Sequence, residues 1–196
     1  MIPVRLVIAS NNPKKRREME AILSSIGVAV VPAEATCFVP VEEDGATFAE
    51  NAAKKARAFA AANAMPALAD DSGLCVDALG GAPGVRSSRY AGIEGDDAAN
   101  NARLLAALDG VADRRARFVC ALHLAFAGDR PPLTAEGETV GTILTRPDGP
   151  GGFGYDPLFF SPELGCSFAR ATAEEKARVS HRGRALRALA DKLRGG

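Results

Sequence analysis

The sequence has no net charge, no cysteine pair at metal-ligand spacing and no long apolar run, and each absence closes off a class of function. Lysines and arginines number 24, as do aspartates and glutamates, which leaves a formal net charge of +0. A chain that holds nucleic acid through a general basic field is thereby excluded, and any anion must be met by a local arrangement of charge. The cysteines, Cys37, Cys75, Cys120 and Cys166, stand far apart with no CxxC among them. That spacing argues against a zinc site or a disulfide framework and fits reduced thiols. No stretch approaches the ~20 apolar residues of a membrane span. The opening "PVRLVIA" runs straight into a strand pattern, without the charged n-region, apolar run and cleavage site of a secretory signal. The expectation is a cytoplasmic protein with no membrane association. Repeats, low-complexity segments and interdomain linkers are also missing, so 1–196 is read as a single domain large enough to bury a substantial core.

What is present alternates between strand and helix patterns. Val4 to Ala9 reads as a buried strand, followed by a helix from Pro13 to Ile26 with Asn12 as its N-cap. "VAVV" at 28–31 reads as a second strand, and strand–helix–strand is a typical α/β opening. Thr47 and Glu50 form a T-x-x-E capping box for a helix running to Asn63. "PALA" at 66–69 is strand-like and meets the turn signal "DDSG". A helix is expected from Asp96 to Leu108, then a hairpin of "RARFVCALHLAFA" and "LTAEGETVGTIL" about the turn "GDRPP". One or two helices from Thr172 end the chain.

Lys14, Lys15, Arg16 and Arg17 crowd the first turn of the opening helix. A helix N-terminus already carries partial positive charge, which makes each cation there unfavourable by roughly 0.3–1 kcal/mol. Met19, Ile22, Leu23 and Ile26 define the apolar stripe. Lys15 lies near that stripe, Lys14 and Arg17 point away from it, and Arg16 lies between. A strand–turn–helix with unsatisfied backbone N–H groups is an anion site that Lys15 would reach into; the alternative is a solvated basic turn. The Walker pattern G-x-x-x-x-G-K-[ST] is absent.

Acidic residues cluster at "EED" (42–44) and "DD" (70–71). Neighbouring side chains of a strand point opposite ways, so one of Asp70 and Asp71 is expected in a site. Hard carboxylate oxygens suit Mg²⁺; an Asx-type turn and a solvated loop are the alternative. Along the helix from Thr47, Lys55 falls almost within the stripe of Phe48, Ala52, Ala56 and Phe59, with Asn51 at its border, while Lys54 and Arg57 face solvent. An inward lysine either snorkels or meets an anion. "GGFGYDP" allows close backbone approach and offers Phe153 and Tyr155 as aromatic faces and Asp156 as an acceptor, unless it is a plain turn. In "SHRG", Ser180 can cap the last helix with His181 and Arg182 in its first turn. His123, mid-strand, is read as structural.

Together, "SNNPKKRRE", "TFAENAAKKA", "ALADDSGLCVDALGGAPGVRSSRYAG", "GGFGYDPLFF" and "EEKARVSHRG" resemble, in order and over nearly the whole chain, the noncanonical purine nucleoside triphosphate pyrophosphatases of the inosine triphosphatase or dITP/XTP pyrophosphatase type. The resemblance implies an α/β (mixed α+β) fold with an elongated mixed central sheet flanked by helices, and two lobes with an active-site cleft between them. It implies Mg²⁺-dependent hydrolysis of ITP, dITP, XTP and dXTP to monophosphate and pyrophosphate, which keeps deaminated purines out of DNA and RNA. Ser10, Asn11, Asn12, Pro13, Lys14 and Lys15 would cradle the phosphates, with Asn51, Lys55 and Ser72 assisting. Glu43 and Asp71 would hold Mg²⁺, Asp71 also serving as the catalytic acceptor. Phe153, Gly154, Tyr155, Asp156, Lys176, His181 and Arg182 would enclose the base, donors from Arg182, His181 or loop amides pairing with O6. Family members are usually homodimers; stable nucleic-acid binding is not expected. In "SFARA", Arg170 stands where the family commonly carries an acid.

Overall fold

The computed structural model describes residues 5–128 and 130–195. The chain opens with β1 (Arg5–Ile8), α1 (Pro13–Ser25) and β2 (Ala29–Val30). β1 and β2 pair in parallel, Arg5 opposite Ala29 and Leu6 opposite Val30, as the strand–helix–strand pattern requires. Val4, expected at the start of β1, lies outside the described residues. The Asn12 side-chain oxygen Oδ1 accepts from the N–H groups of Lys14 and Lys15, so the predicted N-cap satisfies two of the orphan donors of α1. α2 (Phe48–Asn63) begins in the full capping box of Thr47 and Glu50.

β3 (Ala67–Val76) pairs in parallel with β1. It does not turn at Asp70: the strand runs through "DDSG" without a break, and all of its residues but Ser72 are buried. The turn signal fails because both carboxylates find cationic or amide partners, described below, and need no solvent. α3 (Asp97–Ala107) follows, capped by Asp96, and then β4 (Arg115–Ala125) and β5 (Leu133–Ile143). β6 (Phe159–Ser161) and β7 (Cys166–Ser167) form a short antiparallel pair that periodicity alone did not show. α4 (Ala173–Val179) has its own capping box in Thr172 and Glu175, and α5 (His181–Gly195) ends the chain. The seven strands form one mixed sheet in the order β2-β1-β3-β4-β5-β6-β7, so the expected hairpin strands β4 and β5 are neighbours. Helices flank it.

Two compact units are present. The first comprises Met1–Asp71, Cys120–Gly137 and Arg182–Gly196, the second Ser72–Val119 and Glu138–His181. The core of the first packs Val7, Ala9, Ala67 and Ala69 of the strand segments against Ala56, Phe59 and Ala60 of α2. That of the second gathers Leu104 and Leu108, Phe118, Tyr155, Phe159 and Phe168. No described helix is long and apolar enough to cross a membrane.

Candidate active site

In the first unit the consecutive cations of α1 part company. Arg16 is buried and turns back, donating to the carbonyls of Ile8 (2.9 Å) and Val31 (3.4 Å). Its guanidinium also lies 5.4 Å from the Phe38 ring centroid. It fastens α1 to the strand ends. Lys14 and Arg17 are exposed. Lys15 runs inward, its ammonium 3.7 Å from Asp70 Oδ2, with the side chain still 17% exposed and so accessible to a ligand. Ser10 is buried, its hydroxyl accepting from Asn12 N, whereas Asn11 and Pro13 are exposed.

Asp70 and Asp71 have separate partners, as strand alternation demands. Asp70 Oδ2 accepts from Arg182 Nε and Nη2 at 3.2 and 3.0 Å. Burial pushes its carboxyl up, but Lys15, Arg182 and Lys55 outweigh that and hold it well below the usual carboxylate range. Arg182, given to the base by resemblance, also donates from Nη1 to Glu18, and its side chain is only 2% exposed. A base contact from this guanidinium would have to break those bonds. Glu18 was missed from the sequence, although its place three residues after Lys15 on one helix face was the available signal.

Asp71 Oδ2 accepts from Asn51 Nδ2 at 3.0 Å, and Asn51 Oδ1 accepts from Gly45 N at 2.8 Å. Asn51 therefore ties the acidic loop to the strand. Gly45 has to be glycine there, because a Cβ would stand 2.6 Å from Asn51 Oδ1. Lys55 is buried, as its place on the stripe predicted, and its ammonium lies 2.9 Å from Glu43 Oε2 and 3.5 Å from Asp71 Oδ1. Burial lowers the Lys55 pKa, but Asp71, Asp70 and Glu43 reverse this and raise it. For Asp71, burial wins over Lys55 and Lys15, with Glu43 adding to it, and the carboxyl is pushed up to about 6. The neighbouring Glu42 and Asp44 are exposed, Asp44 pairing with Lys54 on the surface. Two hard oxygens thus converge on the Lys55 ammonium, and carboxylate oxygens are the donor chemistry that Mg²⁺ takes, one or two of them with water and phosphate. Glu43 and Asp71 fit that ion.

The second unit holds the other group. Asp156, buried, accepts on Oδ2 from Phe153 N (2.8 Å) and from the Lys176 ammonium (2.6 Å). Gly152, at φ +72°, leaves no room for a Cβ beside that carboxylate. Lys176 lies 4.8 Å from the Phe153 ring centroid and 5.8 Å from that of Phe168. Phe168 stacks on Phe118, and Phe118 on the His181 ring with centroids 4.7 Å apart. Tyr155 departs from expectation. Its ring belongs to the core and its hydroxyl donates to Ser87 O at 2.9 Å, so Phe153 is the aromatic of this loop with a face to offer. Ser72, half-buried, directly follows Asp71 on β3.

The Ham1 family profile matches residues 6–192. A dITP/XTP pyrophosphatase of Aromatoleum aromaticum is 53% identical over 190 residues, which cover 96% of each chain. One from Syntrophobacter fumaroxidans is 56% identical over 182 residues, 92% of this chain and 78% of that protein. Among solved structures, a HAM1 protein from Coxiella burnetii superposes with a TM-score of 0.87 at 41% identity, covering 98% of this chain and 100% of that one. A nucleoside-triphosphatase / dITP/XTP pyrophosphatase from Mycobacterium abscessus gives 0.74 at 44% identity, covering 94% and 98%.

Proposed function

Because the chain belongs to the Ham1 family, we propose that it hydrolyses noncanonical purine nucleoside triphosphates, ITP, dITP, XTP and dXTP, to the monophosphate and pyrophosphate. It is a nucleoside-triphosphate pyrophosphatase, a hydrolase of acid anhydrides. The observation that carries the reading is the convergence of Glu43, Asp71 and Lys55, with Lys15 close by on Asp70. Lysines paired to carboxylates are the apparatus for a polyanionic substrate that arrives with a divalent cation. Glu43 and Asp71 would hold Mg²⁺, which supplies charge neutralisation on the phosphate oxygens. Lys15 would stabilise charge developing on the leaving pyrophosphate, aided by the N-terminus of α1. Asn51 occupies Asp71 Oδ2, so Oδ1 is the oxygen presented to the ion or to the attacking water.

Selection of 6-oxo purines belongs to the second unit. The N–H groups of Phe153, Gly154 and Asp156 already donate to Asp156, Asp97 and Phe153 respectively, so the reading gives the O6 contact to side chains of this unit, Lys176 or His181. An adenine amino group there would leave such donors unsatisfied, a mismatch worth up to ~10⁴-fold. The same reading makes the protein a cytoplasmic homodimer that removes deaminated purines from the nucleotide pool and binds neither membranes nor nucleic acid stably. Sedimentation velocity checks the dimer.

The decisive experiment is a panel of ITP, XTP, dITP, GTP and modified pyrimidine triphosphates, with Mg²⁺ or EDTA and with products resolved. Pyrophosphate release from the hypoxanthine and xanthine substrates, dependent on Mg²⁺, is expected. Preference for a pyrimidine, release of orthophosphate, or full activity in EDTA overturns the reading.

A further inference from the structure

Asp97 and Asn101 stand four residues apart on α3 and so share one helix face. They converge on a single glycine. Asp97 Oδ2 accepts from Gly154 N at 2.9 Å, and Asn101 Nδ2 donates to Gly154 O at 2.8 Å. Both polar groups of one residue are thus held from one rigid element. Gly154 sits at φ +61°, in the left-handed region, between Phe153 and Tyr155. A carbonyl only accepts, so the Asn101 amide nitrogen must face it, and its oxygen is left buried with no hydrogen-bond partner among the described residues. Burying an unpaired amide oxygen is unfavourable, and nothing in α3 itself calls for an asparagine there. The loop calls for it.

The neighbouring Asn100 makes a parallel grip, accepting from Ala91 N and donating to Ser88 O. Tyr155 in turn donates to Ser87 O. α3 therefore holds the 87–91 segment and the 153–156 loop in one fixed relation, with Phe153 at the loop's leading edge.

We propose that Asp97 and Asn101 are positioning residues that preset the 153–156 loop for the purine base and so set how sharply the enzyme separates ITP from ATP. The inference rests on the nucleotide-hydrolysing reading. Neither residue touches the reacting phosphates, so their loss acts on substrate binding, not on chemistry.

The test uses the full chain with ITP and ATP in Mg²⁺. Asp97→Ala and Asn101→Leu each raise KM for ITP about tenfold while kcat stays within about threefold, and the ITP:ATP ratio of kcat/KM falls. Asp97→Asn keeps an oxygen acceptor for Gly154 N and restores the wild-type KM. Asn101→Leu removes the unpaired oxygen but also takes the donor from Gly154 O, so its effects on Tm oppose each other and the deciding readout is KM, which a merely structural asparagine would leave unchanged. Should Asp97→Ala fail to fold, Asn101→Leu and Asp97→Asn carry the test. A wild type that releases no pyrophosphate from any triphosphate overturns the functional reading and this inference with it. An active wild type whose KM and ITP:ATP ratio survive both substitutions overturns the inference alone.

Discussion

Asn51 donates from Nδ2 to Asp71 Oδ2 at 3.0 Å while its own oxygen takes the N–H of Gly45. One fully buried amide thus fixes the carboxylate and the loop that carries Glu43. Asn51→Ala is expected to lower kcat by about 10–100-fold, the range seen when an outer partner of a metal ligand is removed. Gly45→Ala, which pushes a methyl against Asn51 Oδ1, should act in the same direction. Steady-state pyrophosphate release checks both, and wild-type kcat in either would refute the link.

Asp71 should separate activity from stability. Burial already disfavours its ionised form, so Asp71→Asn is expected to keep or raise the Tm of the metal-free protein. Its turnover should fall by more than about 10²-fold, beyond the loss expected for an outer partner. Thermal melts in EDTA beside turnover assays in Mg²⁺ make the comparison. A variant that melts well below wild type contradicts the first half, and wild-type turnover the second.

The three adjacent cations of α1 should give three different outcomes. Lys15→Ala is expected to cut kcat/KM by about 10²–10³-fold through loss of phosphate charge stabilisation. Arg17→Ala, at an exposed site, should change activity by less than about twofold. Arg16→Ala removes the hydrogen bonds to Ile8 O and Val31 O, and should cost about 2 kcal/mol of stability with normal turnover per folded molecule. Melting curves and kinetics on one set of proteins tell the three apart.

Asp70 and Arg182 form a buried ion pair, and removing one partner leaves the other charge uncompensated. Asp70→Asn should destabilise by about 3–5 kcal/mol, lowering Tm by about 10 °C. Asp70→Leu alone should lose at least as much, and adding Arg182→Met to it should recover much of that loss, because a well-packed apolar replacement of a buried pair is often neutral. Additive losses in this double-mutant cycle would show that the two side chains do not act together.

Local signals in the sequence carry local structure well. The Thr47–Glu50 box, the Asn12 cap and the inward turn of Lys15 and Lys55 all follow from residues within one or two turns of each other, and the structure has them as expected. The misread features depend on partners far away in the chain. "DDSG" looks like a turn unless Arg182, distant in sequence, is known to wait for Asp70. Tyr155 looks like a ligand platform until Ser87 O is seen to take its hydroxyl. Arg170 pairs on the surface with Asp148 at 2.6 Å, a partner twenty-two residues away that its own segment does not announce. The second-unit cluster was legible as motif residues, but which loop amides remain as donors was not, since Asp97 lies on another element.

The unbroken course of β3 through Asp70 and Asp71 makes backbone pleat the instrument that divides their duties. Opposed facing along a strand has a period of two, so adding or deleting a single residue upstream would turn each carboxylate to the opposite face. A deletion would bring Asp71 to the guanidinium and Ser72 to the amide, and an insertion would bring Ala69 to the guanidinium and Asp70 to the amide. A loop could absorb such a change by relaxing. A strand cannot, and the spacing of this segment is therefore under a constraint of phase as well as of composition.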